Sequence, residues 1–183
     1  MSEKNPSIIS VESLKSARAK ILNTAEKRLY GRQGGRAIVK MLSSSVDTFL
    51  IDLWTQVGGS DHTNVDLVAV GGYGRSELCP HSDWDILFLV AEGNNTNVSQ
   101  KIQSFIQCIW DSGAVLGHAV RTPREAREFS KTDHHSRTAL MESRLVSGSG
   151  MLYKQLQNYI HPQHWSKKKR FDFCITKMEE CKV

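Results

Sequence analysis

Apolar residues recur at helical spacing along the first third of the chain, then give way to strand-like runs near its centre. Ile8, Val11, Leu14, Ala17, Ile21, Ala25 and Leu29 mark one face of a helix that ends near the glycines at 31, 34 and 35. Ile38, Met41, Leu42, Val46, Phe49, Leu50, Leu53 and Trp54 mark a second helix up to Gly58 and Gly59, and this stripe predicts core. Val65, Leu67, Val68 and Val70 predict a strand, as does the run Ile86 to Val90. A polar turn at 94–97 leads into helical spacing at Val98, Ile102, Phe105, Ile106 and Ile109, and Gly113 closes that helix before a strand over 114–121. Thr122-Pro123-Arg124-Glu125 starts a short helix, with threonine as cap, proline at the first helical position and glutamate three residues after the cap. Leu140, Met141, Leu145 and Val146 predict a further helix, and Ser-Gly-Ser-Gly at 147–150 a hinge or domain edge. Residues 151–160 and 165–180 predict polar, basic helices whose apolar face needs a partner from outside these 183 residues. The pattern alternates helices with strands at its centre, with N-terminal helices over 1–62, a core over 63–147 and a helical extension over 148–183.

The polar segment between the central strands carries the chemistry. VGGYGRSELCPHSDWDILFLV, residues 70–90, joins a paired-glycine turn to Asp83 and Asp85 at the start of a strand. Residues two apart on a strand share a face, so these carboxylates, about 7 Å apart along the backbone, converge while Trp84 points into packing. Such a pair suits magnesium, which takes hard oxygen ligands and binds through one or two carboxylates plus substrate phosphates. Gly71, Gly72 and Gly74 let the backbone approach a phosphate, and a helical turn over Arg75, Ser76, Glu77 and Leu78 would aim free amides at it, with Pro80 as its stop. No Gly-Lys-Ser/Thr follows the glycines and no Gly-x-Gly-x-x-Gly is present, which excludes Walker-loop and dinucleotide-fold readings.

Gly71-Gly72, ten intervening residues, then Asp83-Trp84-Asp85 resembles the signature of the DNA polymerase β-like nucleotidyltransferases. GGYGRSEL…SDWD, followed by IWDSGAVLGHAVRT at 109–122 and TALMESRLVSG at 138–148, is similar to the uridylyltransferase/uridylyl-removing enzymes that modify the PII nitrogen-regulatory protein. The likeness runs from about residue 30 to about residue 150. It implies the α+β polymerase β-like fold, a small mixed sheet flanked by helices, and Mg2+-dependent transfer of UMP from UTP to a tyrosine of PII, with release of pyrophosphate, in the cytoplasm. Two alternatives stay open: an adenylyltransferase of the same superfamily, or a non-catalytic remnant that binds nucleotide or PII. At Ser76 the family commonly carries glycine, so backbone freedom is lost if that position needs positive φ. The family's phosphohydrolase and sensor domains cannot fit in 183 residues, and the helical pattern running through MEECKV leans towards a piece of a longer chain.

Asp83 and Asp85 are accordingly the expected catalytic and metal-binding residues, with Gly71, Gly72, Tyr73, Gly74, Arg75, Ser76, Ser82 and Arg121 expected at the nucleotide. Arg75 and Arg121 suit phosphate oxygens through guanidinium geometry, and Tyr73 either stacks on a base or anchors packing. Superfamily members usually place a third carboxylate on a neighbouring strand, and 114–121 contains none. His118 and Glu142 are the accessory candidates; the plainer readings are a hydrogen-bonded histidine and an ion pair from Glu142 to Arg121 or Arg144.

Composition adds limits rather than detail. Cys79, Cys108, Cys174 and Cys181 show no metal or disulfide spacing, which fits free thiols in a cytoplasm. The sequence has no signal-peptide run and no span of about 18 apolar residues, so a membrane partner is not expected. The net charge of +5 is spread over helix faces and Lys167-Lys168-Lys169-Arg170, and it suits attraction of a nucleoside triphosphate better than a nucleic-acid interface.

Overall fold

The computed structural model describes residues 9–59, 64–93 and 96–180. Ile8, Asn94 and Cys181, and the boundary expected at 62/63, lie outside the described residues. Helix α1 (Val11–Tyr30) is capped by Ser10, whose hydroxyl accepts from the Ser13 amide. Helix α2 (Gly35–Gln56) buries Ile38, Leu42, Val46, Leu50, Leu53 and Trp54, the stripe that its spacing predicted. There follow β1 (Val65–Ala69), α3 (Gly71–Gly74), β2 (Trp84–Val90), α4 (Thr96–Asp111), β3 (Leu116–Arg121), α5 (Pro123–Thr132) and α6 (His134–Met141). The chain continues through β4 (Arg144–Ser147), α7 (Met151–Ile160), a 3-10 turn at Pro162–His164 and α8 (Lys167–Glu180).

The strands form one mixed sheet in the order β3-β2-β1-β4. β1 is antiparallel to β2 and β4, whereas β2 and β3 run parallel and need a crossover, which α4 supplies. This is the expected α+β arrangement, consistent with a nucleotidyltransferase-like fold.

Strand alternation divides the interior into two clusters. Trp84, Ile86 and Phe88 of β2 face α1, α2 and α4, where Trp54 and Phe105 meet Phe88 in a ring cluster with centroids 5.4–6.2 Å apart. Leu87 and Leu89 face the other way, with Val68, Ala126 of α5, Leu140 of α6, and Leu152, Leu156 and Ile160 of α7.

Two expectations change here. Leu145 and Val146 belong to a strand, not a helix, because β1 has backbone groups to pair on its outer side and the segment after Ser143 supplies them. The apolar face of α7 finds its partner within the described residues, since it covers the second face of the sheet. Its start is held by buried Asp66 of β1, whose carboxylate accepts from the Gly150 and Tyr153 amides, both at 2.9 Å. Helix α8, by contrast, has no buried residue. Among the described residues no helix is long and apolar enough to cross a membrane.

Candidate active site

Asp85 enters β2 on the face shared with α5 and α6, while Asp83, two residues earlier, stands exposed at the strand's mouth. The β2–β3 register sets Asp85 opposite Gly117, where any Cβ would collide with Asp85 Oδ1. On the other side, a Cβ on Gly71 would lie 3.9 Å from Oδ2, and Gly71 holds a φ of +59° that disfavours side chains. Gly117 therefore makes room for the carboxylate, while Gly71 is required by its own backbone conformation. Burial, and secondarily the charge of Asp83, raise the Asp85 pKa above the usual carboxylate range. A hard divalent cation between the two carboxylates would offset both causes, and a pair completed by substrate phosphates is a donor set that magnesium accepts. Among the described residues no group of three or more Asp, Glu, His or Cys side chains is gathered as for a metal ion.

The glycine turn is helical one step earlier than expected. Gly71–Gly74 form α3, and 75–78 unwind from it. The Ser76 amide donates to the Tyr73 carbonyl and the Glu77 amide to that of Gly72, which closes the turn as a Schellman motif. That motif requires the left-handed region at Ser76, and its φ is +60°. The following Leu78 amide donates to Ser43 Oγ of α2 at 3.1 Å, which pins the loop to the core. Ser82 closes a tighter turn, its hydroxyl donating to the Cys79 carbonyl at 2.9 Å just before Asp83.

Arg75 caps α3 and reaches two carboxylates: Nε donates to Glu77 at 2.8 Å and a terminal nitrogen to Glu142 at the end of α6. Glu142 thus pairs with Arg75 rather than with Arg121 or Arg144. Its placement follows from α6, whose C-terminus lies over the glycine turn, while the other arginines are engaged elsewhere. Arg121 stacks its guanidinium on Phe129, 3.5 Å from the ring centroid. Arg75 is 44 % exposed, and exposed pairs of this kind contribute about 0–1 kcal/mol, so exchanging a carboxylate for a phosphate costs little.

Asp85, Gly117 and Arg121 line a common cleft of about 230 Å³, floored by β2 and β3 and walled by Phe129 of α5 and Ser136 of α6. Val70, immediately before the glycine turn, closes one end.

Two expected residues turn their side chains away from this arrangement. Tyr73 is 1 % exposed, and its hydroxyl donates to Asp47 of α2 at 2.6 Å, so it anchors packing and has no face for a base. Burial and the Asp47 charge push its phenol well above the ordinary value. Arg144 completes that knot with paired bonds to Asp47 at 2.8 and 3.0 Å, tying β4 and the glycine turn to α2. His118 sits in register with Ile86, on the opposite face from Asp85, and its ring meets Trp110 of α4 at 6.0 Å. The one-residue offset from Gly117 removes it from the carboxylates. Asp47 and Gly117 escaped the sequence reading; a glycine inside the strand pattern LGHAVR was the available signal for the latter, since it marks a close approach.

No protein-family model matches the chain. Curated relatives do. A bifunctional uridylyltransferase/uridylyl-removing enzyme of Methylococcus capsulatus is 36% identical over 164 residues, covering 88% of this chain and 18% of that protein. The enzyme of the same name from Haemophilus influenzae is 37% identical over 136 residues, 74% of this chain and 16% of its own length. That of Nitrosococcus oceani is 44% identical over 108 residues, 58% of this chain and 12% of its own. The chain therefore spans less than a fifth of the length of these relatives.

Proposed function

The chain is a homologue of one domain of the bifunctional uridylyltransferase/uridylyl-removing enzymes, and from that premise we propose that it transfers UMP from UTP to a tyrosine hydroxyl of a PII-type regulatory protein. The observation that carries this reading is the Asp83–Asp85 pair, with Asp85 half-buried in the cleft beside Gly71 of the glycine turn and Asp83 exposed next to it. Both carboxylates would hold Mg2+, which when bound neutralises charge on the triphosphate. Arg75 releases Glu142 and takes phosphate oxygens, and the close backbone at Gly71 and Gly72 admits the anion. Arg121, braced on Phe129, keeps a positive charge within the same cleft. The acceptor oxygen attacks the α-phosphorus, the bond to the bridging oxygen breaks, and pyrophosphate leaves. Chemistry of this kind rests on positioning and charge, which suits a site built from a strand end and a pinned loop. On this reading the protein works in the cytoplasm, where UTP and the acceptor meet.

The test is incubation of the chain with Mg2+, a PII protein and labelled UTP, with labelled ATP in a parallel arm. Label on the PII tyrosine from UTP supports the proposal, and label from ATP alone reassigns the base. Nucleotide binding without transfer identifies a binding module, a reading favoured by the lack of a third acid beside the pair among the described residues.

A further inference from the structure

The face of α5 turned away from the cleft borders a second depression of about 240 Å³. Arg127 and Lys131 of α5, Arg137 of α6, and His164, Ser166 and Lys169 from the turn into α8 contribute to its lining. No aspartate or glutamate lines it. Glu128 lies beside it, paired with Lys131 at 2.7 Å and 4.0 Å from Arg127, so it offsets part of the charge. Arg137 and Lys169 have no carboxylate partner among the described residues.

Arg137 and Lys169 are held in place by contacts that leave their charge uncompensated. Arg137 donates to the Ser130 and Lys131 carbonyls at 2.7 and 3.1 Å, at the end of α5. Arg127 lies over the Tyr159 ring at 4.7 Å and Lys169 over Trp165 at 4.3 Å. Ser166 caps α8 by accepting from the Lys169 amide at 3.2 Å, which places the positive end of a 14-residue helix at the same spot. Burial, then Arg137, Arg127 and Lys131, lower the Lys169 pKa, as crowding of like charge requires. Glu128 offsets Lys131 and part of Arg127, so the excess positive charge round this concave space rests on Arg137, Lys169 and Arg127, and a bound anion would offset it.

We propose that this depression is a binding site for a compact phosphate-bearing anion of about the size of diphosphate, separate from the Asp83–Asp85 cleft. A volume of about 240 Å³ accommodates an anion of this size. Arginine forks on a rigid helix pair suit phosphate oxygens. Helix α5 is a wall common to both sites: Ala126 and Phe129 line the cleft while Arg127, Ser130 and Lys131 line the depression.

The test is calorimetric titration of the full chain in EDTA with inorganic pyrophosphate, and with UDP in a second arm to separate a free anion from a nucleotide tail. Saturable binding is expected, weakened at least tenfold by Arg127→Gln/Lys169→Gln. It should persist in Arg75→Gln and in Lys20→Gln/Lys27→Gln, which removes the same charge from α1. Without anion at low salt, the Arg127/Lys169 double variant should melt no lower than the parent, because repulsion is relieved. Absence of saturable binding in both arms overturns the proposal. So does equal loss in the α1 control, binding by the double variant within twofold of the parent, or a double variant that melts several degrees lower.

Discussion

The two faces of the sheet are built to opposite specifications. Towards α1, α2 and α4 the strands present Trp84, Ile86 and Phe88, locked with Trp54 and Phe105. Towards α5 and α6 the same strands present Asp85, Gly117 and Ala119, opposed by Ala126 and Ala139, and a cleft remains. Because alternate residues of β2 serve both faces, the rings that fill one side fix the backbone that aims Asp85 into the other. Precision at the candidate site is thus supplied by a core the site never touches.

Substitutions on each side separate the two roles. Phe88→Ala empties the ring cluster and should destabilise by about 3–5 kcal/mol in chemical denaturation, whereas Phe129→Ala on the cleft wall should stay within about 1 kcal/mol. Gly117→Ala pushes on the Asp85 carboxylate, and a displacement on the scale of 1 Å costs on the order of 100-fold in transfer rate. Its circular dichroism should match the parent's. Asp66→Ala strands the Gly150 and Tyr153 amides and should cost about 1–3 kcal/mol, with Asp66→Asn milder because an acceptor remains. Smallest is Ser76→Gly, which relieves a left-handed residue and should stabilise by about 1 kcal/mol, read as a raised thermal midpoint.

Much of this was legible beforehand because it obeys local rules. The α2 stripe, the capping box at Thr122 and Glu125, and the pairing of Asp83 with Asp85 each follow from spacing along one element. What escaped depends on distant partners. Leu145 and Val146 read as helix until β1 offered them an edge, and His118 looked like a site residue until the β2 register put it beside Ile86. Tyr73 sits among site residues in sequence, yet Asp47, 26 positions earlier, claims its hydroxyl. Neither the partner nor the register is written in local periodicity.

On the proposed function, the unfavourable placement of Asp85 is offset by a bound cation. A carboxyl whose folded pKa is raised lowers stability as pH rises through the window from its unfolded to its folded value, and the cost is complete above that window. Asp85→Asn removes that cost and the proposed metal ligand together. The decisive measurement is the thermal midpoint in EDTA at neutral pH beside labelled-UMP transfer with Mg2+, on the parent and Asp85→Asn. The account predicts an equal or higher midpoint with transfer down on the order of 1,000-fold or more, the scale of several kcal/mol of lost charge stabilisation. A well-folded Asp85→Asn variant that retains full transfer would contradict it.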